Sequence, residues 1–574
     1  MTRSSRQLLL GLLVALVAVT ASATTFLNGF AQDDVAIVVD DPRARDPGRW
    51  GEYLDEAYWP APLRRDLYRP LTSLLIGVET WAGNGATFPY KLLQITFYAA
   101  SCMAVLALAL RLMPTAAAVA TGVLFAAHPV HVEAVALAVT QAEVIVGLLA
   151  TLSVIYYYDR RQRGWLGRRD HAVLALLTLV AAHFKESGVM IPVLLAAVEA
   201  ILIRGPSLWS RRRELATLVT WQTLAVVVTI ALRSRIPFAN ASGSFVAEAF
   251  EGMPIGSRTL TMLSVVPEWL RLMLWPATLS ADYSPRRILP AETWGLDQTV
   301  GLAILVLIGI LAWRLRHRTP VITFGVAWCA IGLFPVSNVL LPTGIALAER
   351  TLFLPSVGAM LAVGAFLGGL VGAFPARRRA LVGALTALVV LVTVLGISRS
   401  RSRHTIWRNS WTMWAQTVRD VPDSYRARMA LGTLLMGAGH PDRAVAQYEV
   451  ATEQWDRTWT HYYQLAEWYR QMGNCEKAIP AYQRALSMED VIPGRASLVT
   501  CLVWVGDYAE AKRQAMIGVG SGAYAGIFRV WLRTADSAQR VGAPPKTVGF
   551  PDGYDHLFEA GADSAHVRHG VLAD

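Results

Sequence analysis

Apolar stretches of bilayer-crossing length fill the first four hundred positions, separated by short arginine-rich connections, and the pattern then changes to half-apolar helices of fixed period. A helix crosses a bilayer with about 20 apolar residues, and with fewer where protein surrounds its ends. By that measure spans are predicted near 7–27, 88–110, 115–128, 138–158, 171–184, 188–203, 215–232, 299–315, 320–340, 352–373 and 380–398. The connections Asp159-Arg160-Arg161-Gln162-Arg163 to Arg168-Arg169, Arg204 to Arg211-Arg212-Arg213, Arg314-Leu315-Arg316-His317-Arg318 and Arg377-Arg378-Arg379 have the charge of cytoplasmic loops. Eleven spans then place Met1 inside and the C-terminus outside.

Three segments test that scheme. The stretch 259–279, with Trp269, Trp275 and Pro276, is apolar enough to span, but counting it would put the 314–318 cluster outside. It is read as an interfacial or re-entrant helix on the outer side, since Trp favours the headgroup level. Arg399-Ser400-Arg401-Ser402-Arg403 directly follows the last span and pulls the other way, toward a cytoplasmic C-terminus. Ala21-Ser22-Ala23 after a basic start imitates a signal-peptide cleavage site. The apolar run before it is longer than a usual signal core, so it is read as the first span.

Beyond residue 404, Leu431-Gly432, Ala444, Tyr448 and Ala451 recur 34 positions later as Leu465-Ala466, Ala478, Tyr482 and Ala485. That set of small and large positions is the tetratricopeptide (TPR) signature, in which small residues let two antiparallel helices approach and an aromatic fills the gap. Trp414 and Pro422 fit an incomplete leading repeat, and a weaker third unit has Gly506-Asp507-Tyr508 and Ala511 one residue early. The chain therefore divides into a membrane domain over 1–403, a repeat domain over 404–535 and a polar tail over 536–574, all-α throughout.

Composition agrees: 54% of the 574 residues are hydrophobic and only 17% charged, the balance of an integral membrane protein. The net charge of +11 lies in loops between spans, so it reports membrane orientation and not a nucleic-acid partner. Cys102, Cys329, Cys475 and Cys501 have no metal-ligand spacing and are read as packing residues.

Ionisable groups at membrane depth are costly and mark function by default. On the outer side the topology gathers Asp33, Asp34, Asp40, Asp41, Arg69, His128, His131, Glu133, Lys185, Glu186, Glu349 and Arg350 from separate loops. A carboxylate pair at a membrane surface suits general-base work, because one member's pKa is raised by its neighbour and by low dielectric. Arg69, Lys185 and Arg350 are cations of the kind that bind a phosphate and stabilise it as a leaving group. Together these parts describe transfer from a phosphate-activated lipid donor to a hydroxyl. Bland readings stand beside this one: Asp33-Asp34 as a solvated helix end, and Lys185-Glu186 and Glu349-Arg350 as mutual ion pairs. His128, His131 and Glu133 invite a metal, a loop-end cap or a substrate contact; their spacing is not that of a zinc-binding helix, and Pro129 breaks the helix between the imidazoles.

Phe30-Ala31-Gln32-Asp33-Asp34-Val35-Ala36-Ile37 with Asp41-Pro42, Tyr68-Arg69-Pro70-Leu71, His128-Pro129-Val130-His131-Val132-Glu133-Ala134-Val135, Lys185-Glu186-Ser187-Gly188 and Ala348-Glu349-Arg350-Thr351-Leu352-Phe353-Leu354-Pro355 occur in this order. In that order, followed by TPRs, they resemble the transmembrane and TPR-repeat-containing O-mannosyltransferases of the GT-C superfamily and their bacterial relatives, over about 28–520. The resemblance implies a GT-C-type helix bundle with a C-terminal TPR α-solenoid, in a bacterial inner membrane. It implies an inverting glycosyltransferase that moves a sugar, typically mannose, from a polyprenyl-phosphate carrier to Ser or Thr hydroxyls of protein acceptors outside the cytoplasm, with no required cofactor. Asp33-Asp34 would hold the catalytic base. Arg69, His128, His131, Glu133, Lys185, Glu186, Glu349 and Arg350 would line the substrate site, and the repeats would present the acceptor. The family usually has an Arg in the loop after the His motif, where this chain has Thr140-Gln141-Ala142-Glu143. A polymerase or ligase of lipid-linked glycans and a non-enzymatic TPR scaffold are the alternative functions.

Overall fold

The structure is a computed structural model that describes residues 3–60, 67–203, 211–236, 247, 250–283, 288–520 and 522–542. The described residues are helical, with no strand among them, and form two compact units, one through residue 416 and one from 417 on.

In the first unit the long helices are α1 (Arg3–Ser22), α2 (Pro70–Gly83), α3 (Phe88–Leu112), α4 (Thr115–Ala126), α5 (Gln141–Arg163) and α6 (Arg168–Phe184). They continue as α7 (Arg212–Arg233), α8 (Ile255–Leu274), α9 (Leu296–Leu315), α10 (Pro320–Leu333), α11 (Phe353–Ala373) and α12 (Arg378–His404). Seven helices are long and apolar enough to cross a membrane: Ser5–Leu27, Phe88–Leu112, Gln141–Arg163, Arg212–Arg233, Leu296–Leu315, Glu349–Ala373 and Pro375–Arg408. An eighth is added if Thr115–Ala126 and Pro129–Ala136, bent by 43°, are one span. The bend falls at Pro129, which has no N–H to continue the helix, and the His128 ring accepts the Val130 N–H there. Many apolar side chains on α7, α9 and α12 face outward, as lipid contact requires. In contrast, α10 and α11 meet backbone to backbone: a Cβ on Gly325 would lie 2.4 Å from the Gly358 carbonyl.

The end of α12 lies beside the segment that follows α1. Asn28 Nδ2 donates to His404 O (2.8 Å), Gly29 N to Arg408 O (2.8 Å) and Gln32 N to Ser410 Oγ (3.1 Å). The chain therefore leaves its last apolar helix on the face that carries Asp33, and the 399–403 basic run does not draw it to the opposite one. Helix α8 has both ends near that face too: Met273 O contacts His128 Nε2 at 3.0 Å, and Arg258 contacts the loop before Glu349 through Leu340 O.

In the second unit, α13 (Ser410–Asp420) leads in from the first, and antiparallel hairpins follow. These are α14 (Tyr425–Gly437) with α15 (Pro441–Gln454), α16 (Trp459–Gln471) with α17 (Cys475–Met488), and α18 (Ile492–Val505) with α19 (Tyr508–Val519). The helix starts keep the sequence period, including the early third unit, because the periodic residues are the ones buried: Ala444, Ala451, Ala478 and Tyr482 are each 0% exposed. Tyr448 fills the space over Gly432, where a Cβ would meet its ring at 2.7 Å. The last helix, α20 (Ala525–Val541), buries Phe528, Trp531, Ala535 and Ala538 and so runs on into the stretch read as tail; residues 543–574 lie outside those described.

One expectation is corrected. Cys475, at the start of α17, and Cys501, in α18, are joined as a disulfide with their Cα atoms 5.0 Å apart, whereas Cys102 and Cys329 are free. Their 26-residue separation carries no pairing signal; the return of one helix beside the next brings them together.

Candidate active site

The acidic pair is built by a short irregular segment. Gln32 takes a left-handed backbone (φ 52°) immediately before Asp33, a conformation that costs a non-glycine residue energy. The turn that follows sends the two carboxylates in different directions.

Asp34 is fully buried and accepts Ala138 N–H and Val139 N–H, one on each oxygen, at 3.0 and 2.9 Å. Burial raises its pKa to about 6, offset by the Lys91 charge and the two backbone donors. Asp33 keeps 28% side-chain exposure and lies 3.9 Å from Arg350 Nη2. Asp34 thus ties the acidic loop to the loop before α5, and Asp33 is the more exposed carboxylate of the pair. Asp41 is a buried helix cap: it accepts Arg43 N–H at 2.9 Å and pairs with the Arg43 guanidinium.

The three cations come together on this face, each held by an acid from another element. Arg350 donates its backbone N–H to Glu133 Oε2 (2.9 Å) and pairs with the same carboxylate through its guanidinium. Lys185, after α6, pairs with Glu143 in the first turn of α5. Arg69 grips Glu186 at 2.8 Å through Nη2 and at 3.1 Å through Nε, and stacks over the Tyr58 ring. Glu349 is buried and accepts Tyr283 O–H (2.8 Å) and Ser280 N–H (2.5 Å). Neither Lys185-Glu186 nor Glu349-Arg350 is a mutual pair; each member is engaged across the fold.

Exposure sorts these groups. Glu133 and Glu143 are nearly sealed at 1% and 5%, while Arg350, Lys185 and Arg69 keep 12–16%. Glu133 and Glu143 hold Arg350 and Lys185 from within, whereas in the Arg69–Glu186 pair the acid is the more exposed member, at 33% against 16%. Burial pulls the Lys185 pKa down, and the charge of Glu143 opposes that shift. For Glu186 the paired guanidinium outweighs burial, and the pKa falls.

The imidazoles face inward. His131 is bonded on both nitrogens, to Tyr98 Oη at 3.0 Å and Ser356 Oγ at 2.8 Å, and His128 is bonded to Met273 O. With Glu133 given to Arg350, His128, His131 and Glu133 each have a separate protein partner. Among the described residues no three His, Cys, Asp or Glu side chains are grouped as a metal site. The two imidazoles thus join the His motif to Tyr98, Ser356 and Met273.

Sequence reasoning missed two acids. Glu143 was seen only as part of a departing motif, although it is the partner of Lys185. Glu79 on α2 accepts Gln141 Nε2–H at 2.8 Å, and burial raises its pKa to about 8. Gln141, at the family's Arg position, is 0% exposed and points at Glu79, so this position faces the interior. The only sequence signal for Glu79 was a lone acid in an apolar helix.

No family model matches the chain, and no solved structure matches it. Curated relatives do. It is 22% identical to protein O-mannosyl-transferase TMTC3 of Homo sapiens, over 81% of this chain and 54% of that protein. It is 23% identical to TMTC1 of Homo sapiens (75% of this chain, 53% of the relative) and 24% identical to human TMTC4 (76% and 65%). The chain spans about half the length of the first two. The chain is thus similar to the TMTC protein O-mannosyl-transferases over 75–81% of its length.

Proposed function

We propose that this chain is an inverting membrane glycosyltransferase that moves mannose from a polyprenyl-phosphate carrier to Ser or Thr hydroxyls of protein acceptors on the extracytoplasmic side. The observation that carries this reading is the division of the acidic pair: Asp33 is accessible beside three partly exposed cations, while Asp34 is locked to backbone. The names of the relatives supply the sugar and the protein acceptor.

In the reaction, the acceptor oxygen attacks the anomeric carbon from the side opposite the phosphate, and Asp33 takes its proton. The bond between the anomeric carbon and the phosphate oxygen breaks, its electron pair leaves with the polyprenyl phosphate, and the configuration inverts. Arg350, Lys185 and Arg69 offset the charge that grows on the phosphate. Arg350 and Lys185 are held in place by the buried acids Glu133 and Glu143, so little reorganisation is needed at the moment of transfer.

The eleven-span count adds three short segments, 171–184, 188–203 and 320–340, to the eight long ones. It places the Asp33 face outside and the four arginine-rich loops in the cytoplasm. The Cys475–Cys501 disulfide favours that orientation, because disulfides persist in oxidising compartments. The helical repeats, read as TPRs, would present the protein acceptor. The test is transfer from polyprenyl-phosphate mannose to a Ser/Thr peptide by purified protein. Loss of transfer in Asp33→Asn with an unchanged melting temperature supports the assignment, and wild-type turnover by that variant overturns it.

A further inference from the structure

At the end of the first unit opposite the acidic pair, the structure holds a cavity of about 600 Å³. Arg161 and Glu143 share α5, so this cavity lies about 27 Å along the helix from the Lys185 pair, at 1.5 Å per residue. Its walls include Tyr158, Arg161, Trp165 and Arg211 on the polar side and Leu202 and Val321 on the apolar side.

The charge inside is unbalanced. Glu199, 1% exposed, is the shared acid of two guanidiniums: Arg161 binds both of its oxygens at 3.0 Å, and Arg211 Nη1 binds Oε1. Tyr157 O–H adds a third donor to the same carboxylate at 2.8 Å. Two cations and one anion leave a net positive charge. Arg161 also lies over the Trp165 ring, 3.9 Å from its centroid, which fixes the guanidinium plane. Arg211 is 6% exposed, lines the cavity, and its Nε is buried with no hydrogen-bond partner. A buried N–H of a cation without an acceptor costs more than an ordinary lost hydrogen bond. The cavity wall thus carries one surplus positive charge. Leu202 and Val321 give the cavity an apolar wall, and Trp165, of a residue type that favours headgroup depth, lines it too.

We propose that this cavity binds the phosphate headgroup of an anionic phospholipid from the leaflet opposite the Asp33 face. A phosphodiester neutralises the surplus charge of the Arg161–Arg211 pair, and Leu202 and Val321 flank its glycerol and first methylenes. Basic pockets between membrane helices are known to take such headgroups. This site is separate from the sugar-transfer face and does not depend on the function proposed for that face.

The test uses the full chain in detergent, with native mass spectrometry and thermal unfolding. Phosphatidylglycerol should be retained and should raise the melting temperature by several degrees, whereas phosphatidylcholine and millimolar inorganic phosphate should do neither. Arg211→Gln and the cavity-filling Val321→Trp should each cut phosphatidylglycerol retention at least about fivefold. Val321→Trp leaves the Glu199 cluster untouched, so it decides the matter if Arg211→Gln does not fold. Equal retention of the two lipids overturns the proposal, as does wild-type retention by Val321→Trp. Stabilisation by phosphate alone to the same extent assigns the cavity to a soluble anion and overturns the lipid.

Discussion

Glu133 holds Arg350 twice, by accepting its backbone N–H at 2.9 Å and by pairing with its guanidinium, and the same guanidinium reaches to 3.9 Å from Asp33. A residue of the His motif thereby sets the position of a cation that precedes α11. The cation in turn stands beside the carboxylate proposed as base. Glu133→Gln should lower transfer at least about tenfold, since a hydrogen bond to a charged group contributes about 1.5–3 kcal/mol. Arg350→Lys should not restore activity in its place, because an ammonium lacks the planar fork. Steady-state kinetics with a lipid-linked donor measure both, and full activity of Glu133→Gln would show that the pair is only structural.

Adjacent carboxylates should give opposite phenotypes. Asp34→Ala leaves the N–H groups of Ala138 and Val139 without their acceptor, at about 1–3 kcal/mol each, and should lower the melting temperature markedly. Asp33→Ala should leave melting nearly unchanged and abolish transfer. If both lose stability equally, the division of roles is wrong.

Glu79 should make stability fall as pH rises. Its folded pKa, about 8, lies above the 4.5 of the free group, so its contribution is complete below about 4.5 and is lost as pH climbs through 8. Glu79→Gln should flatten the decline in melting temperature between pH 5 and pH 8.5. The same acid explains how Gln141→Arg could be accommodated: the new cation would meet Glu79 and draw it into the ionised form. A Glu79→Gln profile identical to wild type would remove Glu79 from this account.

The repeat unit should depend on its disulfide. Closing a 26-residue loop restricts the unfolded chain by about 3.5 kcal/mol in the chain-entropy treatment. Cys501→Ser should therefore lower the melting temperature of this unit by several degrees. Maleimide labelling of denatured, unreduced protein should find only Cys102 and Cys329 reactive, with Cys475 and Cys501 added after reduction. Four reactive thiols before reduction would exclude the bond.

Apolar run length and the 34-residue spacing made the two-part architecture legible, because both are local consequences of helix geometry and burial. The repeats show this most directly: the early third unit is visible as a one-residue advance of Gly506-Asp507-Tyr508, and α18 and α19 begin one residue early in turn. The motif residues were legible as a set on one face. Their partners were not, since Lys185 and Glu143 are 42 residues apart and Arg350 and Glu133 are 217 apart. Neighbours in sequence, Lys185-Glu186 and Glu349-Arg350, offered a simpler pairing that helix direction forbids, because the two members of each leave the backbone toward different elements.

The sequence by itself determined that the chain is helical, lies largely in a membrane, carries helical repeats and concentrates ionisable groups at one end of its spans. Those properties follow from composition and period, which act residue by residue. Tertiary structure alone decided which aspartate is sealed and which is open, which acid holds each cation, and that Cys475 meets Cys501. Burial and ion pairing are set by whatever stands across the gap, and only packing brings residues from distant loops there.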